Sequence, residues 1–218
     1  MPVAAERHTL HRELVLAAAE RELARVGFAG TKMTAIAQAA DVSLATVYKA
    51  FAGKDDIWDA LHAQRMAALV AEVDEQVGGS DAGSPLERLL AGIAAVAGFL
   101  TAHDAYLELN LRASSGWLTT AGSTGVQRTV WAAGLDRISA GVEAARASGE
   151  LADLPTRVAT GLVVSALQVW LADWVEAGRD RDADAVVADL VAHLRLVLRR
   201  LPDESESAEW HGGSRSQE

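Results

Sequence analysis

Residues 34–58 read T-A-I-A-Q-A-A-D-V-S-L-A-T-V-Y-K-A-F-A-G-K-D-D-I-W, and the spacing of their apolar residues decides the fold. Ile36, Ala37 and Ala40 lie one, three and four apart, so they share one helix face. Asp41-Val42-Ser43 breaks that pattern. Asp accepts left-handed backbone and suits a sharp turn, and Ser43 is a good N-cap for a following helix. In that second helix Val47, Ala50 and Phe51 face inward, while Leu44, Ala45, Thr46, Tyr48 and Lys49 are left outside. Two short helices joined by a three- or four-residue turn form a helix-turn-helix, whose second helix can enter a DNA major groove.

Outward from this unit the chain continues as helix. A first helix is expected over 9–26, on a stripe of Val15, Ala19 and Leu23, ended by Gly27; residues 1–8 read as a loose arm. The turn helices cover about 31–40 and 44–51, and a long helix 54–77 carries Asp55, Asp56 and Asp59 at its positive end. Gly and Ser at 78–83 mark a loop. Ser84-Pro85-Leu86-Glu87 is a capping box with Pro at the first position and opens a helix to 102. Further helices are expected over 103–115, 127–148, 155–177 and 182–201, with a Gly/Ser/Thr loop over 114–125 and stops at Gly149 and Gly178. The fold class is all-α, about nine helices in two parts. Residues 1–53 form a helix-turn-helix domain, 54–201 a helical body, and 202–218 a polar, acidic tail read as disordered.

Composition narrows the function. The 218 residues contain no Cys, which removes disulfides and thiolate metal sites and fits a reducing, cytoplasmic setting. No charge-free apolar run of 18 residues occurs, so no membrane span is expected, and the first ten residues lack the apolar core of a secretory signal. The net charge of −10 is unevenly spread. Residues 1–66 hold eight basic and eight acidic side chains, and the remainder holds 12 and 22, so body and tail together carry all the excess. Phosphate repels that body and leaves the neutral N-terminal part to face DNA. No Gly-rich phosphate loop, G-x-S-x-G or H-E-x-x-H occurs, and the six His show no ligand-like spacing with carboxylates. Neither catalytic residues, nor a metal, nor a cofactor is expected.

The stretch resembles the DNA-binding domain of the tetracycline-repressor (TetR) family of bacterial regulators. The family pattern is a helix ending in Gly-aromatic, then I-A-x-x-A-G-V-S-x-G-T-x-Y-x-x-F-x-x-K-[ED]-x-[LI]. Here it stands as Gly27-Phe28, Ile36-Ala37, Ala40, Val42-Ser43, Thr46, Tyr48, Phe51, Lys54-Asp55 and Ile57, across roughly residues 10–60. Asp41 and Ala45 replace two glycines of the pattern, and Lys32 stands where a Ser or Thr caps the second helix, leaving that cap to Thr31. The resemblance implies that Thr46, Tyr48, Lys49 and Lys54 hold phosphates and bases. The chemistry is apt, because hydroxyls and ammoniums donate to phosphate oxygens and Lys54 opens a helix at its anion-favouring end. Base edges fall to Thr34, Leu44, Ala45 and Lys49, with Ser43, Thr31 and Lys32 beside them.

For the body the resemblance implies a ligand pocket and a dimer. Pocket candidates are Phe99, His103, Tyr106, Asn110, Trp117, Trp131 and Trp170; aromatics at helical spacing are also ordinary core. The last two helices form an antiparallel pair expected to meet its copy in a four-helix interface through Leu162, Ala166, Val169, Trp174, Val187, Leu190 and Leu194. The expected function is a homodimeric, ligand-responsive regulator of double-stranded DNA with a palindromic operator, a repressor released by a small apolar effector. A helical protein adaptor, an activator and a regulator without a ligand stay open on the residues alone.

Overall fold

A computed structural model describes residues 2–79, 83–112 and 125–199. Among them stand nine helices: α1 (Pro2–Gly30), α2 (Met33–Ala39), α3 (Leu44–Ala50), α4 (Lys54–Gly79), α5 (Pro85–Ala102), α6 (Asp104–Arg112), α7 (Gly125–Ala147), α8 (Thr156–Glu176) and α9 (Ala183–Leu198). The all-α expectation holds. The arm expected over 1–8 is instead helical from Pro2, a residue suited to a first helical turn. The tail over 202–218 lies outside the described residues.

The short helices of the head are set by their ends. Gly27, at φ +75°, kinks α1. The bend lets Thr31 turn back, its N–H donating to the Gly27 carbonyl (3.1 Å) and its hydroxyl to those of Gly27 (2.8 Å) and Glu22 (3.3 Å). Thr31 therefore closes α1 and does not cap α2, whose N-cap is Lys32 with no side-chain bond. Asp41 adopts the left-handed backbone expected of the turn, at φ +52°. Val42 N–H then reaches the Ala37 carbonyl at 3.1 Å, the six-to-one bond of a Schellman ending. Ser43 accepts from the Thr46 N–H at 3.0 Å, and the two hydroxyls share a 2.8 Å bond. Seven residues are too few to hold a helix unaided, so this cap has a measurable weight: Ser43→Ala lowers unfolding stability by about 1 kcal/mol in denaturant titration.

The roughly 39 Å helix α4 leaves the head and runs along the body. There α5 is the hub, packed on α4, α6, α7, α8 and α9. Half of its capping box forms: Ser84 accepts from the Glu87 N–H at 3.3 Å, while the Glu87 carboxylate leaves to grip Arg195 of α9 at 2.7 and 3.1 Å. By length and composition α5 and α8 are each apolar enough to cross a membrane, although neither is a charge-free run of 18 residues. In the fold α5 lies inside the bundle, and α8 keeps one apolar strip exposed. The head does not hang from α4 alone, because α1 also lies against α6. Buried side chains from Val15 to Leu198 form a single cluster across head and body.

Candidate nucleic-acid interface and regulatory body

Helix α3 is anchored by Val47 and Phe51, both buried, and shows the solvent a face of Leu44, Ala45, Tyr48 and Lys49. Tyr48 is 53% exposed, an unusual placement for an aromatic with no partner in the chain's own core. Lys32, Thr34 and Ser43 are exposed beside it, and Thr46 is half-buried under its bond to Ser43. Seven of the ten expected DNA-facing residues are thus exposed. Two turn inward. Thr31 is 4% exposed, spent on the α1 ending. Lys54 donates to the carbonyls of Phe28 and Thr31 (3.1 Å to the latter), with its ammonium 4.4 Å from the Phe28 ring centroid.

Sequence reading missed Arg12. It rises from α1 to donate to the Ala50 carbonyl at 3.0 Å, and its guanidinium lies 4.2 Å above the Phe51 ring. The signal was a polar residue one turn before Val15, on the flank of the apolar stripe.

Behind the head, rings form a column. Phe28 meets Trp58 edge-on (centroids 5.2 Å), Trp58 meets His62 (4.6 Å), and His62 meets Tyr106 of α6 (5.4 Å), sharing a 3.0 Å Nδ1–Oη hydrogen bond with it. Beside the column Arg65 of α4 grips Glu20 of α1, with Nε at 2.9 Å. Burial dominates the titration here. It pushes His62 down to about 4, against a smaller opposing pull from Asp59, and Tyr106 up to about 12.

Of the expected pocket residues, Phe99 stacks on His103 (4.2 Å), whose Nδ1 donates to the Phe99 carbonyl at 2.8 Å. Asn110 donates to the Tyr106 carbonyl one turn back on α6 at 2.7 Å, and Tyr106 faces His62 of α4. Trp170 lies half-buried against His193. Trp131 falls on α7, and Trp117 lies outside the described residues. Among the described residues no group of His, Asp and Glu is placed to share a metal ion.

The expected dimer residues divide. Trp174 is buried, its Nε1 donating to the Arg181 carbonyl at 2.9 Å, and Leu190 and Leu194 are fully enclosed by their own chain. These three are therefore intrachain core, because the 186-190-194-198 stripe of α9 faces inward toward α5 and α8. Ala166 and Val187 are half-buried. Leu162 and Val169 (59% exposed) remain outside, joined by Val158, Leu196 (73% exposed) and Val197.

Residues 15–61 match the family model for bacterial regulatory proteins of the tetR family. The match covers the kinked α1, the turn helices and the first turns of α4. The chain carries a DNA-binding head of the TetR family. It is a DNA-binding transcriptional regulator built on the TetR plan of helix-turn-helix head and helical body. Solved structures agree in fold over most of the chain. The fatty acid degradation regulator FadR from Bacillus halodurans is 20% identical, with 85% of this chain and 94% of that one covered and a TM-score of 0.72. FadR from Bacillus subtilis, solved with stearoyl-CoA, is 18% identical over 84% and 96%, at 0.70. AibR, solved with isovaleryl coenzyme A and operator DNA, is 17% identical over 84% and 97%, at 0.69. No curated protein matches significantly. Identities this low carry the TetR fold and nothing finer.

Proposed function

We propose that this TetR-family chain is a cytoplasmic, homodimeric repressor that leaves a palindromic operator when a small apolar effector enters its body. The observation that carries the reading is the accessible face of α3, with Leu44, Ala45, Tyr48 and Lys49 held outward on a buried anchor of Val47 and Phe51. Lys49 and Tyr48 donate to phosphate and base edges, and Leu44 and Ala45 offer apolar contact to a thymine methyl. Two heads reach two half-sites one helical turn apart, which requires a dimer, and the apolar strip of Val158, Leu162 and Val169 on α8 is the surface to supply it. Phe99, His103 and Trp170 are the described residues we assign to the effector region. The solved complexes of like fold with stearoyl-CoA and isovaleryl-CoA make acyl thioesters, in which the acyl chain is the apolar part and the coenzyme A moiety is polyanionic, the first class to try.

Release is a population shift. The body touches the head twice, through α4 and through the α1–α6 contact. An effector that prefers one arrangement of these helices changes the spacing of the heads by no more than its differential affinity. The test is a mobility shift on a duplex selected by the wild-type protein from random-sequence DNA. Lys49→Ala weakens binding by roughly tenfold or more, the size of a lost charged contact, and stearoyl-CoA or isovaleryl-CoA frees the duplex. Undiminished affinity in Lys49→Ala would remove the contact assignment, and salt-independent retention would favour a protein adaptor.

A further inference from the structure

We propose that Lys49 and Lys32 are acylation sites, at which transfer of an acyl group from a thioester turns the reading head off. The proposal rests on the DNA-binding reading above and adds a covalent route to release. Of the 20 Lys and Arg residues only three are Lys, and Lys32, Lys49 and Lys54 fall within one stretch of 23 residues in the head. The other 17 are Arg. A guanidinium stays protonated throughout the physiological range, whereas a lysine amine is an ordinary target of acetylation. Acylation of side-chain amines is therefore confined to the reading head.

The structure separates the three amines. Lys49 lies on the solvent face of α3 next to Tyr48, and Lys32 stands before α2 as its N-cap. Both are exposed, and among the described residues neither ammonium has a hydrogen bond or an ion pair. Lys54 is half-buried. Its ammonium donates to the Phe28 and Thr31 carbonyls and lies 4.4 Å from the Phe28 ring centroid. An amine attacks only after it loses a proton and frees its lone pair. Lys49 and Lys32 do so without giving up a contact, while Lys54, as it stands here, first breaks two hydrogen bonds. The head also has no surplus charge to absorb a loss. Residues 1–66 hold as many acidic as basic side chains, and Arg12, Arg25 and Arg65 are engaged within the domain.

The step is an acyl transfer. The neutral nitrogen of Lys49 attacks the thioester carbonyl carbon; the C–N bond forms and the C–S bond breaks. The thiolate leaves with the electron pair and takes up the proton that the nitrogen sheds, giving a free thiol and a neutral amide. Nothing is oxidised or reduced. The amide has lost the charge that a phosphate contact needs, and it carries an apolar chain on the face assigned to DNA. This mark outlasts its donor, unlike an effector bound reversibly in the body.

Isovaleryl-CoA is the probe. The full-length protein is incubated with it at mildly alkaline pH and then desalted, which removes the thioester and any copy held without a covalent bond. Peptide mass spectrometry finds the acyl group on Lys49 and Lys32 ahead of Lys54. On the selected duplex the desalted protein binds about tenfold more weakly than untreated protein, the size of a lost charged contact. Its plot of log affinity against log salt is shallower by about two for the Lys49 contact of each protomer. The Lys32→Arg/Lys49→Arg variant keeps both charges and has no amine at either place, so after the same treatment it binds as it did before. The proposal is overturned if a free lysine derivative in the same solution is acylated while Lys49 and Lys32 are not, or if Lys54 is labelled first. It is equally overturned if labelled wild type binds as tightly as unlabelled, or if the double Arg variant loses affinity as wild type does. A wild-type protein that retains no duplex before treatment overturns DNA binding itself and this proposal with it; the labelling pattern, read without DNA, tells the two failures apart.

Discussion

Val169→Asp converts the protein to a monomer and reduces operator affinity by roughly two orders of magnitude. Val169 stands 59% exposed on α8, with Leu162 and Val158 seven and eleven residues before it on the same helix face. An apolar strip of this kind is what a four-helix interface buries. An aspartate on this strip is desolvated without a partner, twice per dimer, at a cost of several kcal/mol by the usual penalty for an unpaired buried charge. A penalty of that size shifts a dissociation constant by at least about a hundredfold. Monomers still carry a reading head but reach one half-site at a time. Leu190→Ala is the contrast. Leu190 is buried by its own chain, so its truncation costs about 2–5 kcal/mol of folding stability and leaves the dimer assembled. Sedimentation at micromolar concentration reads both variants. A Val169→Asp protein that sediments as a dimer, or a Leu190→Ala protein that dissociates while folded, would place the interface on the wrong face of the α8–α9 pair.

Mild acid weakens the fold through His62. The imidazole is 2% exposed in the seam between head and body, between Trp58 and Tyr106. Burial holds its pKa at about 4 in the fold, against the ordinary 6.5 of an unfolded chain. The folded pKa is the lower one, so the unfolded state binds the proton first. The stability tied to the neutral ring is present above pH 6.5 and is lost as pH falls toward 4. The two values differ by enough to represent about 3 kcal/mol, with a steepest slope of about 1.4 kcal/mol per pH unit. Glu22 and Glu87, held below their ordinary 4.5 by bonds to Arg25 and Arg195, lose their contribution only at more acid pH. Denaturant unfolding between pH 7.5 and 5 therefore isolates His62. His62→Gln is less stable at pH 7.5 and nearly flat across the range. Parallel curves for the two proteins would assign the acid sensitivity elsewhere.

Helix positions and ends were legible because the signals are local. Ser43, Ser84 and Asp182 each cap the helix that follows, and Gly27, Gly149 and Gly178 each stop or bend one. The accessible face of α3 was legible for the same reason, since Val47 and Phe51 mark its inner side. Partner choice was not. On α9, Val186, Leu190 and Leu194 are buried, while Val187 is half-buried and Val197 is exposed. Periodicity says that a stripe is buried but not whether its own chain or a copy buries it. The inward turn of Lys54 depends on the Phe28 and Thr31 carbonyls, and that of Arg12 on the Ala50 carbonyl. Main-chain acceptors brought close by tertiary folding leave no trace in residue type. His62 stood in the sequence only as one of six His without ligand-like spacing, and its meaning came from Tyr106, 44 residues away.

The uneven charge of the chain has a consequence on the scale of the chromosome. Non-specific binding is almost wholly a matter of neutralised phosphates, and a neutral head beneath an acidic body neutralises few. The millions of base pairs that are not operator then form a shallow sink. On the function proposed above, most molecules between operator encounters are in free solution, where their bodies sample effector, and the copy number needed to occupy a site is set by specific contacts and not by competition from bulk DNA.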